Sequence, residues 1–228
     1  MNTLIKISLL ITVIVSLTAC GGGTTSTDTY YEPIPEYKIF PVGYFNPGYH
    51  QDYQLTGYDT LGNNYSGNYH VVSETSTYFD GEYNIPVTLT THLNSDYGGS
   101  ETLSITHFYT KHNYLFQNGL ENVLTGETGF AQHIDSIPEY AYIGEGGHIG
   151  RYRTTTGKKI IKNWQLNDAG FGAAMLVLTT STYDDFDHLE TLHEKTYEIN
   201  QYGSACSLKI IDYDAHSGVY TYLQGTPQ

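Results

Sequence analysis

The alternation in Val87-Thr88-Leu89-Thr90-Thr91-His92-Leu93-Asn94 decides the fold of this chain. Apolar residues stand at positions 87, 89 and 93, Thr91 continues their set, and polar residues fill the positions between them. A period of two residues is that of a β-strand with one face against a core and the other in water. The stretch therefore predicts an antiparallel strand whose apolar set faces a core.

Similar strand-like runs recur along the rest of the chain. Tyr, Thr, Val and Ile dominate them, and the chain has 23 Tyr in all, which favours pleated, half-buried surfaces. Compact turn signals rich in Asn, Asp and Gly separate the runs, as is typical of hairpins. The runs are residues 103–109, 159–166, 175–183, 195–199 and 208–213, and the turn signals are residues 59–63, 80–81, 94–99, 200–203 and 214–218. The sequence thus predicts an all-β fold of antiparallel, hairpin-rich sheets.

Helix signals are sparse, so we expect few or no helices. Short helices are candidates within residues 114–124 and 184–194, although the second segment fits a long loop equally well. A turn-rich stretch divides the β-rich part into two halves, at about residues 30–125 and 126–228. Two hairpin arrays of this size can be arranged in three ways: as the two sheets of one sandwich, as a continuous curved meander, or as two small domains. We predict one or two sandwich-like units.

The first residues carry a targeting signal. Lys6 precedes an apolar run over residues 7–17, which is too short to span a bilayer and ends at Leu17-Thr18-Ala19-Cys20. This pattern resembles the signal peptide and lipobox of bacterial lipoprotein precursors. The resemblance implies cleavage after residue 19 and lipidation of Cys20, whereas the alternative, an ordinary secretory signal peptide, leaves Cys20 without a role.

Lipidation would place the protein at a membrane. Several acyl chains, at about 0.8 kcal/mol per buried methylene, hold a protein firmly on a bilayer. Gly21 rather than Asp follows Cys20, which in lipoproteins of the enteric type favours the outer membrane. Residues 20–29 have the composition of a flexible tether, and residues 30–228 form the β-rich domain, in the periplasm or at the cell surface. Acylation of Cys20 would leave Cys206, in a strand-like run, as the remaining and buried thiol.

The charge balance excludes some partners. The chain has 10 Lys plus Arg against 24 Asp plus Glu and a net charge of −14, whereas nucleic-acid binding needs clustered basic residues. The modest cluster that exists is interpreted as a solvated hairpin and consists of Arg151, Arg153, Lys158, Lys159 and Lys162. We therefore expect no nucleic-acid partner.

One acidic cluster is a candidate cation site. Asp184, Asp185 and Asp187 offer the oxygen ligands that Ca²⁺ takes, and Ca²⁺ is the one cofactor that the sequence suggests. The competing interpretation, which we favour, is a solvated loop.

Three functions remain open because no local catalytic motif is present. We favour a binding or structural module for a protein or glycan partner, which predicts that Tyr side chains and Trp164 cluster on an exposed face. The alternative is a periplasmic carrier of an apolar ligand, which predicts a cavity lined by Leu, Ile and Phe. The third is an enzyme whose titratable residues converge from distant strands. The first is favoured because the alternating strands supply apolar residues for about one core.

Overall fold

The computed structural model describes residues 35–110 and 115–228. The predicted signal peptide, Cys20 and the tether lie outside these residues. The described chain contains strands and turns but no helix, which confirms the all-β prediction. Within it, no helix has the length and apolarity needed to cross a membrane.

The strands follow one another along the chain as hairpins. Their bounds are β1 Tyr37–Lys38, β2 His50–Asp59, β3 Asn64–Ser73, β4 Thr77–Phe79, β5 Glu82–Ser95, β6 Ser100–Thr110, β7 Gln117–Asn122, β8 Glu127–Ile134, β9 Tyr140–Ala141, β10 Gly146–Thr154, β11 Lys159–Gly170, β12 Ala173–Tyr183, β13 Leu189–Ile199, β14 Ala205–Asp214 and β15 Val219–Pro227. Each run and each turn signal predicted from the sequence lies in or between these strands as expected.

The large sheet closes on itself as a 12-stranded antiparallel barrel. Neighbouring hairpins pair in order from β5 round to β15, then β15 pairs with β2, and the pairing of β3 with β5 completes the circle. Closure leaves no barrel strand with an unpaired edge. The sandwich-like arrangement that we predicted is therefore replaced by a closed meander, and both halves of the chain contribute strands to one sheet.

Both helix candidates form strands instead. Residues 117–122 are β7, which pairs with β6 and β8, and the segment at 184–194 is a tight turn followed by the first part of β13. The apolar spacing in these segments was too loose to distinguish the two structures. Strands on both sides provide hydrogen-bond partners for the backbone of each segment. These tertiary hydrogen bonds favour the strand over a helix.

The N-terminal segment closes one end of the barrel. Tyr37 and Ile39 are fully buried and pack with Ile137, Trp164 and Leu166, while β1 pairs with β9 in a small separate sheet. We call this packed N-terminal segment the plug, and aromatic rings further along the chain extend it toward β6. The ring centroid of Phe45 lies 5.0 Å from that of Phe40 and 5.1 Å from that of Tyr109. All of these contacts, and every barrel strand, lie within residues 37–228, so this part of the chain contains its own core.

The opposite end is a rim of hairpin loops. Antiparallel order brings every second connection to the same end. These connections are residues 59–64, 95–100, 122–127, 154–159, 183–189 and 214–219. The barrel therefore has a plugged end and a rim formed by short turns.

The closing seam depends on a glycine. A Cβ atom on Gly67 of β3 would lie 1.8 Å from the carbonyl oxygen of His92 on β5, far inside contact distance. Only a residue without a side chain allows the two backbones to approach this closely. Gly67 therefore permits the β3–β5 pairing that completes the barrel.

Candidate functional site

A cavity of about 840 Å³ occupies the barrel interior. Its apolar lining comes from inward-facing residues on strands from all round the barrel, and it includes Leu89, Ile105, Leu120, Leu176 and Leu178. This volume falls within the range of about 300–1,000 Å³ usual for small-molecule sites. The interior is thus large enough for a ligand of ordinary metabolite or lipid size.

A polar row crosses the wall of this cavity. The strand register aligns one inward residue from each of five neighbouring strands. They are Lys162, Thr180, His193, Asp212 and Thr221. The row two residues nearer the plugged end on each strand contains Trp164, Leu178, Lys195, Ile210 and Leu223. Apart from Lys195 that row is apolar, so the wall becomes more polar toward the rim.

Lys162 is the most deeply buried basic residue of the described chain, with 6% of its surface exposed. Its Nζ lies 2.9 Å from Oε1 of Gln117 and 3.0 Å from Nε2 of His107, so the side chain reaches across the lumen from β11 to β7 and β6. Burial, and then the neighbouring Lys195 charge, hold the pKa of Lys162 well below its usual value. The same burial lowers the pKa of His107.

Lys195 crosses the lumen in the opposite direction. Its Nζ lies 3.2 Å from Oη of Tyr69 on β3 and 4.7 Å from the centroid of that ring. Oη of Tyr69 also lies 2.9 Å from Oη of Tyr197, which ties β3 to β13. Burial lowers the pKa of Lys195 to about 8, and the carboxylate of Asp212 partly opposes that shift.

At the level of the polar row and of Lys195 the cavity holds more basic than acidic groups, whereas the other carboxylates that line it stand at the rim: Asp59, Glu101, Glu127, Glu190 and Asp214. His193 pairs with Asp212, and its pKa is lowered by burial and by Lys195 despite that carboxylate. None of the ion pairs formed by the described residues involves Lys162 or Lys195. Their nearest polar partners are the neutral acceptors just named.

The three aspartates proposed for Ca²⁺ lie in the rim loop between β12 and β13. Asp184 accepts hydrogen bonds from the backbone N–H groups of Phe186 and His188 at 2.8 and 2.9 Å. Asp185 pairs with Arg153, and Asp187 with Lys159. Each carboxylate of the loop therefore interacts with a different partner within the protein. The calcium site stays a prediction.

A different trio brings potential metal ligands together. Oδ1 of Asp135 lies 3.2 Å from Nε2 of His133, and its Oδ2 lies 2.9 Å from Nδ1 of His148. It is the one group of this kind in the described ranges, 35–110 and 115–228. His133 and Asp135 are both largely exposed, and the contacts are those of a surface ion-pair network.

The aromatic residues divide between the two faces of the barrel. Trp164 is buried in the core at the plugged end, so it does not belong to the exposed cluster that the surface-binding hypothesis predicts. Tyrosines do form an outer row across β14, β15 and β2. Tyr213 and Tyr220 stack with ring centroids 4.4 Å apart, and Tyr58 lies 5.5 Å from Tyr222.

The sequence interpretation missed the interior lysines. Lys162 was assigned to a solvated hairpin with Lys158 and Lys159, but it is buried inside the barrel. The available signal was its register: Ile160, Lys162 and Trp164 share one parity of β11 and face inward together. A lysine in the apolar set of a strand is a pattern that predicts a buried charge, and buried charges are candidate site residues.

No protein-family model matches the chain, and no curated protein matches it either. Its function is therefore inferred from the geometry of the site itself.

Proposed function

We propose that this protein is a binding protein that carries a small amphipathic molecule inside its barrel. The observation that carries the proposal is the cavity of about 840 Å³, enclosed by a barrel with one plugged end. Its apolar walls offer burial for a hydrocarbon or aromatic body, and the polar row offers hydrogen bonds for one polar end. This function corresponds to the carrier alternative from the sequence, with a ligand that also has a polar group.

We further propose that the carrier is anchored to a bacterial membrane, most simply the outer membrane, by lipid on Cys20. Cys206 allows a direct test. It is half-buried at the start of β14 rather than buried as predicted, and it is not a free thiol in the structure. The chain has two cysteines. Because a sulfur in a disulfide cannot carry a thioether-linked lipid, acylation of Cys20 and a disulfide with Cys206 exclude each other.

Thiol alkylation of protein extracted from membranes separates these states. A lipid-modified N-terminal peptide together with alkylation of Cys206 without prior reduction would support the anchor. An unmodified N-terminal peptide, with Cys206 alkylated only after reduction, would contradict it.

Cavity binding is tested on residues 28–228, which include the whole described core. Native mass spectrometry after purification from the periplasm should detect a co-purified small molecule. Titration with N-phenyl-1-naphthylamine, a neutral dye that fluoresces in apolar surroundings, should give saturable binding. Leu178→Trp fills the cavity wall and should abolish that signal, whereas Val177→Trp on the outer face of the same strand should not. Equal dye binding by both variants would refute binding inside the barrel.

A second candidate function, recognition of a protein or glycan partner at the outer face, is favoured by the tyrosine row. Stacked rings with accessible hydroxyl groups suit sugar or protein contacts. Tyr58 is 55% exposed and offers the most accessible ring of the row. A glycan array and a pull-down from intact cells, each repeated with Tyr58→Ala and Tyr220→Ala, test this role independently of the cavity.

A further inference from the structure

We propose that the ligand is an anionic amphiphile, whose carboxylate or similar single acidic group is bound by Lys162 and Lys195 while its apolar body lies along the cavity wall. This inference rests on the proposed function, because it names the chemical class that the same interior would bind. It follows from how charge is distributed between the interior and the rim.

The interior basic groups lack enough acidic partners. His107, Lys162, His193 and Lys195 face the lumen, and among the described residues Asp212 is the one carboxylate that interacts with them there. Asp212 contacts His193, which leaves both lysines with neutral oxygen and nitrogen neighbours. A buried ammonium group is costly unless an anion accompanies it. A ligand with one acidic group would supply that anion.

Most of the carboxylates at the rim differ because their own surroundings compensate them, and Glu127, for example, accepts a hydrogen bond from the hydroxyl of Thr156. Asp59 accepts backbone N–H bonds from Leu61 and Asn63 at 2.8 and 3.0 Å, and Asp214 accepts one from His216 at 2.8 Å. Each therefore stabilises the hairpin turn in which it stands. The carboxylate of Glu190 lies 2.9 Å from Nζ of Lys158. Glu101 also lines the rim end of the cavity. Deeper in the cavity, at the level of Lys162 and Lys195, the uncompensated charge is positive, although the whole chain is strongly acidic.

The two lysines come from separate walls and are near enough to couple. Lys162 extends from β11 toward β6 and β7, and Lys195 extends from β13 toward β3. The Lys195 charge lowers the pKa of Lys162, and both lysines lower the pKa of the nearby His107 imidazole, so the three groups belong to one electrostatic cluster. An acidic group between them would accept hydrogen bonds from both ammonium groups, and such charge-assisted hydrogen bonds are stronger than neutral ones.

The apolar lining determines how the ligand body is oriented. Leu178 of β12 pairs directly with Lys195, Thr180 of the same strand pairs with Lys162, and Leu176 follows nearer the plug. The rim side of the wall carries Thr182 and Thr191 instead. A ligand that enters from the rim with its apolar end first therefore leaves its acidic group at the level of the lysines.

A matched pair of dyes tests the charge preference. 8-Anilinonaphthalene-1-sulfonate has the same ring system as N-phenyl-1-naphthylamine but adds one anionic group. We expect the wild-type protein, residues 28–228, to bind the sulfonate more tightly than the neutral dye. Lys162→Met and Lys195→Met should each weaken sulfonate binding by about 10- to 100-fold, the loss expected for a charge-assisted hydrogen bond. Both should leave binding of the neutral dye within about twofold. Lys209→Met, on the outer face of β14, is the control.

Competition then connects the dyes to natural chemistry. Dodecanoate should displace the sulfonate at lower concentration than 1-dodecanol or dodecylamine does. Binding of the neutral dye without any preference for the sulfonate or for dodecanoate would overturn the anionic inference and leave the carrier function intact. Failure of both dyes to bind would overturn the carrier function itself. Retained binding of the neutral dye by each lysine variant shows that the variant is folded.

Discussion

Replacing Lys195 with methionine should stabilise the protein in the absence of ligand, and the gain should depend on pH. Burial lowers the pKa of Lys195 from 10.5 to about 8 in the folded state. At neutral pH the folded protein therefore keeps an ammonium group in surroundings that disfavour it. Methionine has a similar length and carries no charge, so Lys195→Met removes that penalty.

The magnitude follows from the pKa difference. A shift of 10.5 − 8, or about 2.5 units, corresponds to about 3.4 kcal/mol at 1.36 kcal/mol per unit. The lost contact with Oη of Tyr69 costs about 1 kcal/mol. The expected net gain at pH 7 is therefore about 2 kcal/mol, or a rise in Tm of about 4–8 °C for a domain of this size.

The pH dependence has a definite sign. Between about pH 8 and pH 10.5 the unfolded chain holds the Lys195 proton and the folded protein does not, so wild-type stability rises with pH by about 1.4 kcal/mol per unit. The variant lacks this contribution, and its advantage should disappear over the same range. Groups that face Lys195 from neighbouring strands are Lys162, His193, Asp212 and Tyr69, and all of them are present in both proteins.

Urea unfolding of the wild type, Lys195→Met and Lys209→Met at a series of pH values from 7 to 10.5 measures these quantities. The difference between the wild type and Lys195→Met should shrink as pH rises, and Lys209→Met should follow the wild type throughout. A variant that is less stable than the wild type at pH 7, or a difference that does not change with pH, would refute a buried and energetically costly Lys195.

Further predictions concern the tyrosine core, the barrel seam and ligand binding. Tyr53 is fully buried and its Oη has no hydrogen-bond partner among the described residues, so Tyr53→Phe should leave stability unchanged or raise it by about 1 kcal/mol. Tyr69→Phe loses hydrogen bonds to Tyr197 and Lys195 and should lower stability by about 1–2 kcal/mol. Thermal unfolding compares the Tyr53→Phe and Tyr69→Phe variants, and an equal effect of both would contradict the different hydrogen bonding assigned to the two hydroxyl groups. Gly67→Ala should prevent the close β3–β5 approach and expose the protein to proteolysis, whereas Ser66→Ala, on the outer face of the same strand, should not; an intact, protease-resistant Gly67→Ala protein would show that the seam tolerates a side chain. Binding of the anionic dye should weaken as pH rises through about 8, where Lys195 loses its charge, while binding of the neutral dye stays constant; fluorescence titrations across this range measure both, and parallel behaviour of the two dyes would exclude a role for that charge.

The local elements were predictable because their signals are local. The alternation over residues 87–93 appears in β5 with Val87 and Leu89 buried, and the Asp80-Gly81 signal appears as a hairpin turn with φ of 48° and 88°. Such positive φ values at both central positions are what the tight hairpin turn requires. Residues 117–122 were misjudged because their strand is stabilised by β6 and β8 rather than by their own pattern.

What the sequence by itself determined is the set of strands and turns and the acidic overall charge. The two-residue period and the turn chemistry act between residues that are neighbours in the chain, so they can be read without a structure. What only the tertiary structure decided is the closed barrel and its hollow interior. Closure depends on the pairing of β15 with β2 and of β3 with β5, contacts between distant or non-adjacent segments that no local pattern specifies. The same closure turns one face of β11 and β13 inward, so that Lys162 is buried and Lys195 is half-buried inside the barrel rather than on a solvated surface.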